Sequence, residues 1–191
     1  ITGLHTLYPV QLRSRLDVKI FLDMEEQLRE TFKIKRDLHE RGHSLNNILN
    51  SIEIRKPDSK RFIHPQIHNA DIVFSLGLRD KTTSYDSIPN GDDFILNIRI
   101  NHCLYFDDLL RCLIGLCGLN VSHGIVDGST SVNLTVDGQV NPEYIALSAT
   151  FFLNNLDELL DLNPQFEDGM LGVMQLITIA HSAQSLRRRL T

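Results

Sequence analysis

Apolar residues along the chain first mark a strand and then a helix. Val18 to Leu22 is a short run of β-formers between Asp17 and Asp23, which predicts a buried strand. From Met24 the spacing lengthens. Met24, Leu28 and Phe32 fall on one helical face, while Arg29, Lys33 and Arg36 recur at four and then three residues on the adjacent face. Gly42 supplies a helix stop and Ser44 an N-cap for a second helix built on Leu45, Ile48, Leu49 and Ile52. Because Pro57 disfavours helical backbone in the residue before it, this helix is expected to end near Lys56. After a polar connection, Ala70 to Leu76 reads as a second buried strand.

The pattern changes after residues 77 to 93, which are rich in Asp, Ser, Thr and Gly and read as an exposed loop and a boundary. Phe94, Leu96, Ile98 and Ile100 alternate with Ile95, Asn97 and Arg99, predicting a strand with one face better buried. Tyr105 to Leu116 has helical spacing. Two Val-Asp-Gly segments, at 126 to 128 and 136 to 138, surround the β-leaning SVNLTV and offer turn chemistry between antiparallel strands. Asn141 and Pro142 suit a helix entrance leading toward Leu153, Leu156, Leu159 and Leu160. Gly169 to Leu190 is apolar through Ile179 and ends in Arg187, Arg188 and Arg189, which complement the dipole at a helix C-terminus.

With 191 residues, 42% of them hydrophobic, the chain can bury a substantial core, and a formal net charge of -5 argues against a general nucleic-acid or anionic-membrane binder. No apolar run reaches membrane-span length. Cys103, Cys112 and Cys117 form no C-x-x-C pair, so a reducing, cytoplasmic setting fits better than a disulfide framework. The first residue is Ile1 rather than Met, as expected for a piece of a longer protein. His64 and His68 are four apart, but Pro65 lies between them and no Cys or Glu completes a set, so no metal site is assigned.

Lys33, Lys35 and Arg36 place three cations in four positions, followed by Arg41. Glu25, Glu26, Glu30, Asp37 and Glu40 are near enough to pair with several of them, so the stripe alone reads as a solvated face. The order of blocks alters that reading. GLHTLY at 3 to 8, DVKIFLD at 17 to 23, KIKRDLHERGHSL at 33 to 45, SIEIRKPD at 51 to 58 and IHPQIHNADIVF at 63 to 74 together resemble the phosphoribulokinase and uridine kinase family, the phosphoribulokinase pattern being the nearer. A looser echo, VDGQV and NNLDELL, is similar to the C-terminal part of plant and cyanobacterial members.

The resemblance implies ATP-dependent transfer of phosphate to a sugar, ribulose 5-phosphate or a related one, with Mg2+ as the metal. The helix carrying R-D-x-x-E-R-G would be a lid over the nucleotide phosphates. By position, Arg36 and Arg41 would be its catalytic phosphate contacts, and Lys33 and Lys35 would join them in holding the nucleotide. His5, Tyr8, His43, Arg55 and Lys56 match positions near the sugar substrate. Thr2 stands where the family has Glu, and neither the G-x-x-x-x-G-K-[ST] loop nor the acidic general base of the family occurs in this sequence.

The fold class expected is therefore α/β: the last sheet strands and lid helix of a P-loop kinase over residues 1–78, a linker loop over 79–93, and an α+β extension over 94–191. The expected partners are a nucleotide and a phosphorylated sugar, not nucleic acid or membrane, with a homo-oligomer left open. Two alternatives stand beside this reading: a uridine kinase-like nucleoside kinase, and a non-catalytic module that kept the fold for regulation or oligomerisation.

Overall fold

The structure, a computed structural model, describes residues 1–79, 93–125, 130–152 and 164–190. Its centre is a five-stranded sheet of β1 (Ile20–Met24), β2 (Ile72–Leu78), β3 (Phe94–Ile100), β4 (Asn120–Ile125) and β5 (Val132–Asp137), in the order β1-β2-β3-β5-β4. Only β1 and β2 run parallel. A parallel pair needs a long crossover. It is supplied by α2 (Glu26–His39) and α3 (Leu45–Asp58), followed by a π-helical turn, Ser59–Ile63, and a 3-10 turn, His64–Asn69. A short helix, α1 (Val10–Arg13), precedes β1.

One face of the sheet carries the main core. Ile72, Phe74, Leu96, Ile98, Ile100, Val132, Leu134 and Val136 are buried there under α4 (Phe106–Leu110), the π-helical turn Arg111–Leu116 that continues it, α5 (Pro142–Thr150) and α6 (Gly169–Leu190). Register explains how the row is filled. Phe74 lies beside Ile98 and Ile98 beside Leu134, each at most 3% exposed. The same row ends in β1 at Leu22, which is 67% exposed. An apolar groove of about 810 Å³ runs along β1 there, bounded by Leu4 and Leu7 and by Leu171, Met174 and Ile179 of α6. On the opposite face of β2, Val73 packs with Leu7, Ala70, Phe21 and Ile67.

Several expectations are corrected. The first strand is shifted to Ile20–Met24 and is half-buried, because only one side of it has a neighbour among the described strands. Met24 therefore belongs to β1, and the helix begins at Glu26. The second helix passes through Pro57 to Asp58: Ile48 and Ile52 are buried and Lys56 is tied to Glu30 of α2, which outweighs the local preference against helix at Lys56. Gly77 and Leu78, taken for loop, extend β2. Strand β4 was not expected, and the second Val-Asp-Gly ends β5 instead of turning a hairpin. The first Val-Asp-Gly, the linker at 80–92 and Leu153, Leu156, Leu159 and Leu160 lie outside the described residues. Phe94–Ile100, the Asn141–Pro142 entrance and the last helix occur as expected.

A polar cluster fastens α6 to the turn after β3. Gln184 accepts from the Leu104 backbone N–H and donates to the His102 carbonyl, both at 2.8 Å. His102 has φ 55°, a left-handed backbone that a non-glycine residue adopts only when held. His181, 4% exposed, has Nδ1 at 3.3 Å from the Tyr105 hydroxyl. Burial pushes the His181 pKa down; Asp71 opposes this, while Arg188, Lys19 and His102 add to it. The stability carried by its neutral form is thus present above the ordinary histidine pKa of about 6.5 and lost as pH falls through the lowered value. Thermal melts should accordingly weaken on going from about pH 7.5 to about pH 5, and less steeply in His181→Leu than in the unaltered protein. Equal slopes would assign the decline to other groups.

Candidate functional site

The start of α2 is fixed to the ends of β1 and β2. The Glu25 backbone N–H donates to Leu76 O at 2.9 Å, and the Glu25 carboxylate accepts from the Leu78 N–H at 3.4 Å. Glycine at 77 leaves room for this approach: a Cβ there would lie 2.8 Å from the Glu25 carboxylate, and that side chain would have to move aside. Arg29 completes the anchor. It donates to Asp23 and to Met24 O at 2.7 Å and to Glu26 at 2.6 Å. Arg29 thus leaves the cationic stripe functionally, holding the helix to the strand that feeds it.

Farther along α2, the cations gather on one carboxylate. Asp37 accepts from Arg36 Nε at 2.9 Å and from Arg41 Nη1 at 3.1 Å, and Lys33 Nζ lies 3.6 Å away. Arg41 lies just beyond the last residue of the helix, at i,i+4 from Asp37, and the chain turns away after it: Gly42 takes φ +66° and the His43 N–H donates to Asp37 O at 3.0 Å. Ser44 Oγ then accepts from the Asn47 N–H at 3.4 Å, beginning α3. Lys33 Nζ also reaches Ser51 Oγ of α3 at 3.4 Å.

Asp37 is covered by its own partners, its side chain being 6% exposed, while Arg36 and Arg41 remain 47% and 55% exposed. Each arginine engages Asp37 through one nitrogen, so most of each guanidinium fork is not spent on it. Arg29, Lys33, Lys35, Arg36 and His39 line a groove of about 980 Å³ with Met24, Phe32 and Glu40. With Arg29 spent on Asp23 and Glu26, three permanent cations, Lys33, Lys35 and Arg36, line the groove beside Glu40; such a surface suits a polyanion, and exposed forks suit phosphate oxygens.

The residues expected near a sugar lie in three other places. His5 and Tyr8 are exposed and meet edge to face at 6.4 Å; Tyr8 rests against Phe62 at 5.8 Å, and Arg61 lies over the Phe62 ring, 5.0 Å from its centroid. Arg55 and Lys56 occupy the last turn of α3. Lys56 is bound to Glu53 at 2.6 Å and Glu30 at 3.2 Å, and these bonds raise its pKa. His43 is exposed beside the α2 cap. Among the described residues no three His, Cys, Asp or Glu side chains are placed to hold a metal ion. Sequence reasoning counted Asp37 only as one neutralising acid among five; its place between Arg36 and Arg41 was the available signal.

The Arg36 hydrogen bond is the main cause holding the Asp37 carboxyl below the usual range; burial opposes it, and the charges of Arg36, Arg41 and Lys33 reinforce it. Its contribution to stability is therefore present above the ordinary aspartate pKa and lost as pH falls through the lowered one. A carboxyl NMR titration should place the Asp37 midpoint below that of exposed aspartates and move it upward in Arg36→Ala. A midpoint in the ordinary range would show that the three cations do not act on it.

Comparison with known proteins agrees with this geometry. Residues 1–83 match the model of the Phosphoribulokinase / Uridine kinase family. The chain is 46% identical over 101 residues to chloroplastic phosphoribulokinase of Spinacia oleracea, covering 52% of this chain and 24% of that protein. It is 43% identical over 76 residues to phosphoribulokinase of Synechocystis, covering 40% and 23%. Uridine kinase of Lactococcus lactis is 33% identical over 98 residues, covering 51% and 47%. The chain thus spans about a quarter of the length of the phosphoribulokinases it matches. The solved phosphoribulokinase from Rhodobacter spheroides superposes with a TM-score of 0.55 at 21% identity, over 78% of this chain and 50% of that one, a likeness of fold. Sequence and fold converge: through residues 1–83 the chain is a partial match to the Phosphoribulokinase / Uridine kinase family, and its α/β fold is similar to that of the solved phosphoribulokinase.

Proposed function

We propose that this chain is the C-terminal portion of an ATP-dependent sugar kinase, transferring phosphate from ATP to ribulose 5-phosphate or a related sugar. The observation that carries the reading is the cationic surface of α2: Lys33, Lys35 and Arg36 line its groove, and Lys33, Arg36 and Arg41 gather on Asp37. Residues 1–78 would form part of the kinase core with its lid, 79–93 a linker, and 94–191 the extension.

In phosphoryl transfer the sugar hydroxyl oxygen bonds to the terminal phosphorus as the bond to the nucleotide breaks, and charge spreads over the phosphoryl oxygens. Arg36 and Arg41 would meet that charge with charge-assisted hydrogen bonds, and Lys33 and Lys35 would hold the remaining phosphates. Asp37 keeps the cations together before any anion arrives, which lowers their mutual repulsion and the ordering cost of binding. Proton acceptance from the hydroxyl is assigned to no residue here. His5 and Tyr8 would face the sugar, with His43, Arg55 and Lys56 as further contacts. The open side of β1, with exposed Leu22 and its apolar groove, is where the half of the core bearing the phosphate loop would pack. Three free, buried thiols support a reducing compartment.

The nucleoside-kinase reading has its own support in the Lactococcus relative, of which the chain covers 47%. The experiment is an assay of the complete protein with ATP and either ribulose 5-phosphate or uridine. Turnover of the sugar phosphate alone is expected; turnover of uridine alone would overturn the acceptor assignment. In the same protein, Arg36→Ala and Arg41→Ala should each weaken nucleotide binding by roughly 1.5 to 3 kcal/mol per lost charged contact, read by calorimetry. Unchanged binding in both would reduce them to surface charges.

A further inference from the structure

The loop that carries His5 and Tyr8 has little structure of its own. It makes turn bonds, Thr6 N–H to Gly3 O at 3.3 Å and Tyr8 N–H to His5 O at 3.1 Å, and leads into a helix of only four residues. Its buried fastening comes from far along the chain. Gln66, 3% exposed on the 3-10 turn, accepts from the Leu7 backbone N–H at 3.0 Å and donates to Leu4 O at 3.0 Å and to Phe62 O at 2.8 Å.

These three bonds use both ends of one amide. A carboxylate of the same length can accept but not donate, and an apolar side chain can do neither. Their placement is specific: Leu4 and Leu7 bracket His5, Tyr8 follows directly, and Phe62 is the residue whose ring supports Tyr8 at 5.8 Å. Arg13 adds a bond to Tyr8 O at 3.0 Å, and Asn69 one to Leu7 O at 3.5 Å, but neither connects the loop to Phe62.

We propose that Gln66 is a positioning residue for the sugar end of the site, clamping the 4–8 loop to Phe62 and so fixing the spacing of His5 and Tyr8; this rests on the reading of those two side chains as sugar contacts. The clamp is separate from the nucleotide end. The paired cations of α2 and its cap hang on Asp23, Glu26 and Asp37, none of which touches Gln66 in the bonds described above.

The separation makes the test selective. In the complete protein, Gln66→Glu keeps an acceptor for Leu7 and loses both donors, and should raise the KM for the sugar phosphate roughly tenfold while the KM for ATP stays within about twofold. Gln66→Leu should raise it further and speed hydrogen exchange at the Leu7 amide. His5→Ala, measured alongside, reports on the site itself. If His5→Ala raises the sugar KM and both Gln66 variants, melting normally, leave it unchanged, the clamp is overturned and the site reading stands. If both substrates' KM values rise together, Gln66 is merely structural and the clamp is likewise overturned. If neither His5→Ala nor Tyr8→Ala affects the sugar, the site reading fails and takes the clamp with it. Should Gln66→Leu not fold, Gln66→Glu decides.

Discussion

Strand β2 is the constraint on which the rest of the molecule depends. Its two edges are both hydrogen-bonded, to β1 in parallel and to β3 antiparallel, and its two faces look into different surroundings. Ile72 and Phe74 enter the main core under the C-terminal helices, while Val73 belongs to the small cluster beneath the loop of Leu7. Through Leu76, Gly77 and Leu78 it also seats Glu25, and with it the first turn of α2. One seven-residue strand therefore sets the positions of the cationic helix, the His5 loop and the helical layer at once. A sheet with mixed pairing concentrates this role because its parallel member can be reached only through the long α2–α3 crossover.

Electrostatics follow the same economy. The acids of α2 are not interchangeable counterions: Glu25 serves β2, Glu26 and Asp23 serve Arg29, Glu30 serves Lys56 of α3, and Asp37 alone serves Lys33, Arg36 and Arg41. A single negative charge among three positive ones leaves the group with net positive charge while removing much of its internal repulsion. That balance is what an anion-receiving surface requires, since full pairing would leave nothing for the anion and no pairing would splay the cations apart.

Much of this was legible in the sequence. Helices α2 and α6 announce themselves by apolar spacing, and β3 by alternation ending in Leu96, Ile98 and Ile100, because burial on one side forces the pattern. Strand β4 was not legible: Asn120, Ser122, His123 and Gly124 carry no such pattern, and a strand with β5 as its one neighbour among the described strands and with exposed side chains is not required to. Pro57 misled for the opposite reason, a sound local rule being outweighed by contacts between helices that lie far apart in sequence terms. The cations of the site could be read from the order of blocks in one chain, and Asp37 stands at helical i,i+4 spacing from both Lys33 and Arg41; what spacing alone does not single out, among five nearby acids, is that Lys33, Arg36 and Arg41 converge on this one.

The row that is buried at Phe74, Ile98 and Leu134 but bare at Leu22 has a consequence for handling the molecule. An uncovered strand edge flanked by an apolar groove is a template for the same edge on another copy. Asp23, the one charge within β1, is already neutralised by Arg29, so little repulsion guards this side. With this edge bare, the chain would gather into strand-paired aggregates, and Leu22→Lys would keep it dispersed by placing an unpaired charge there.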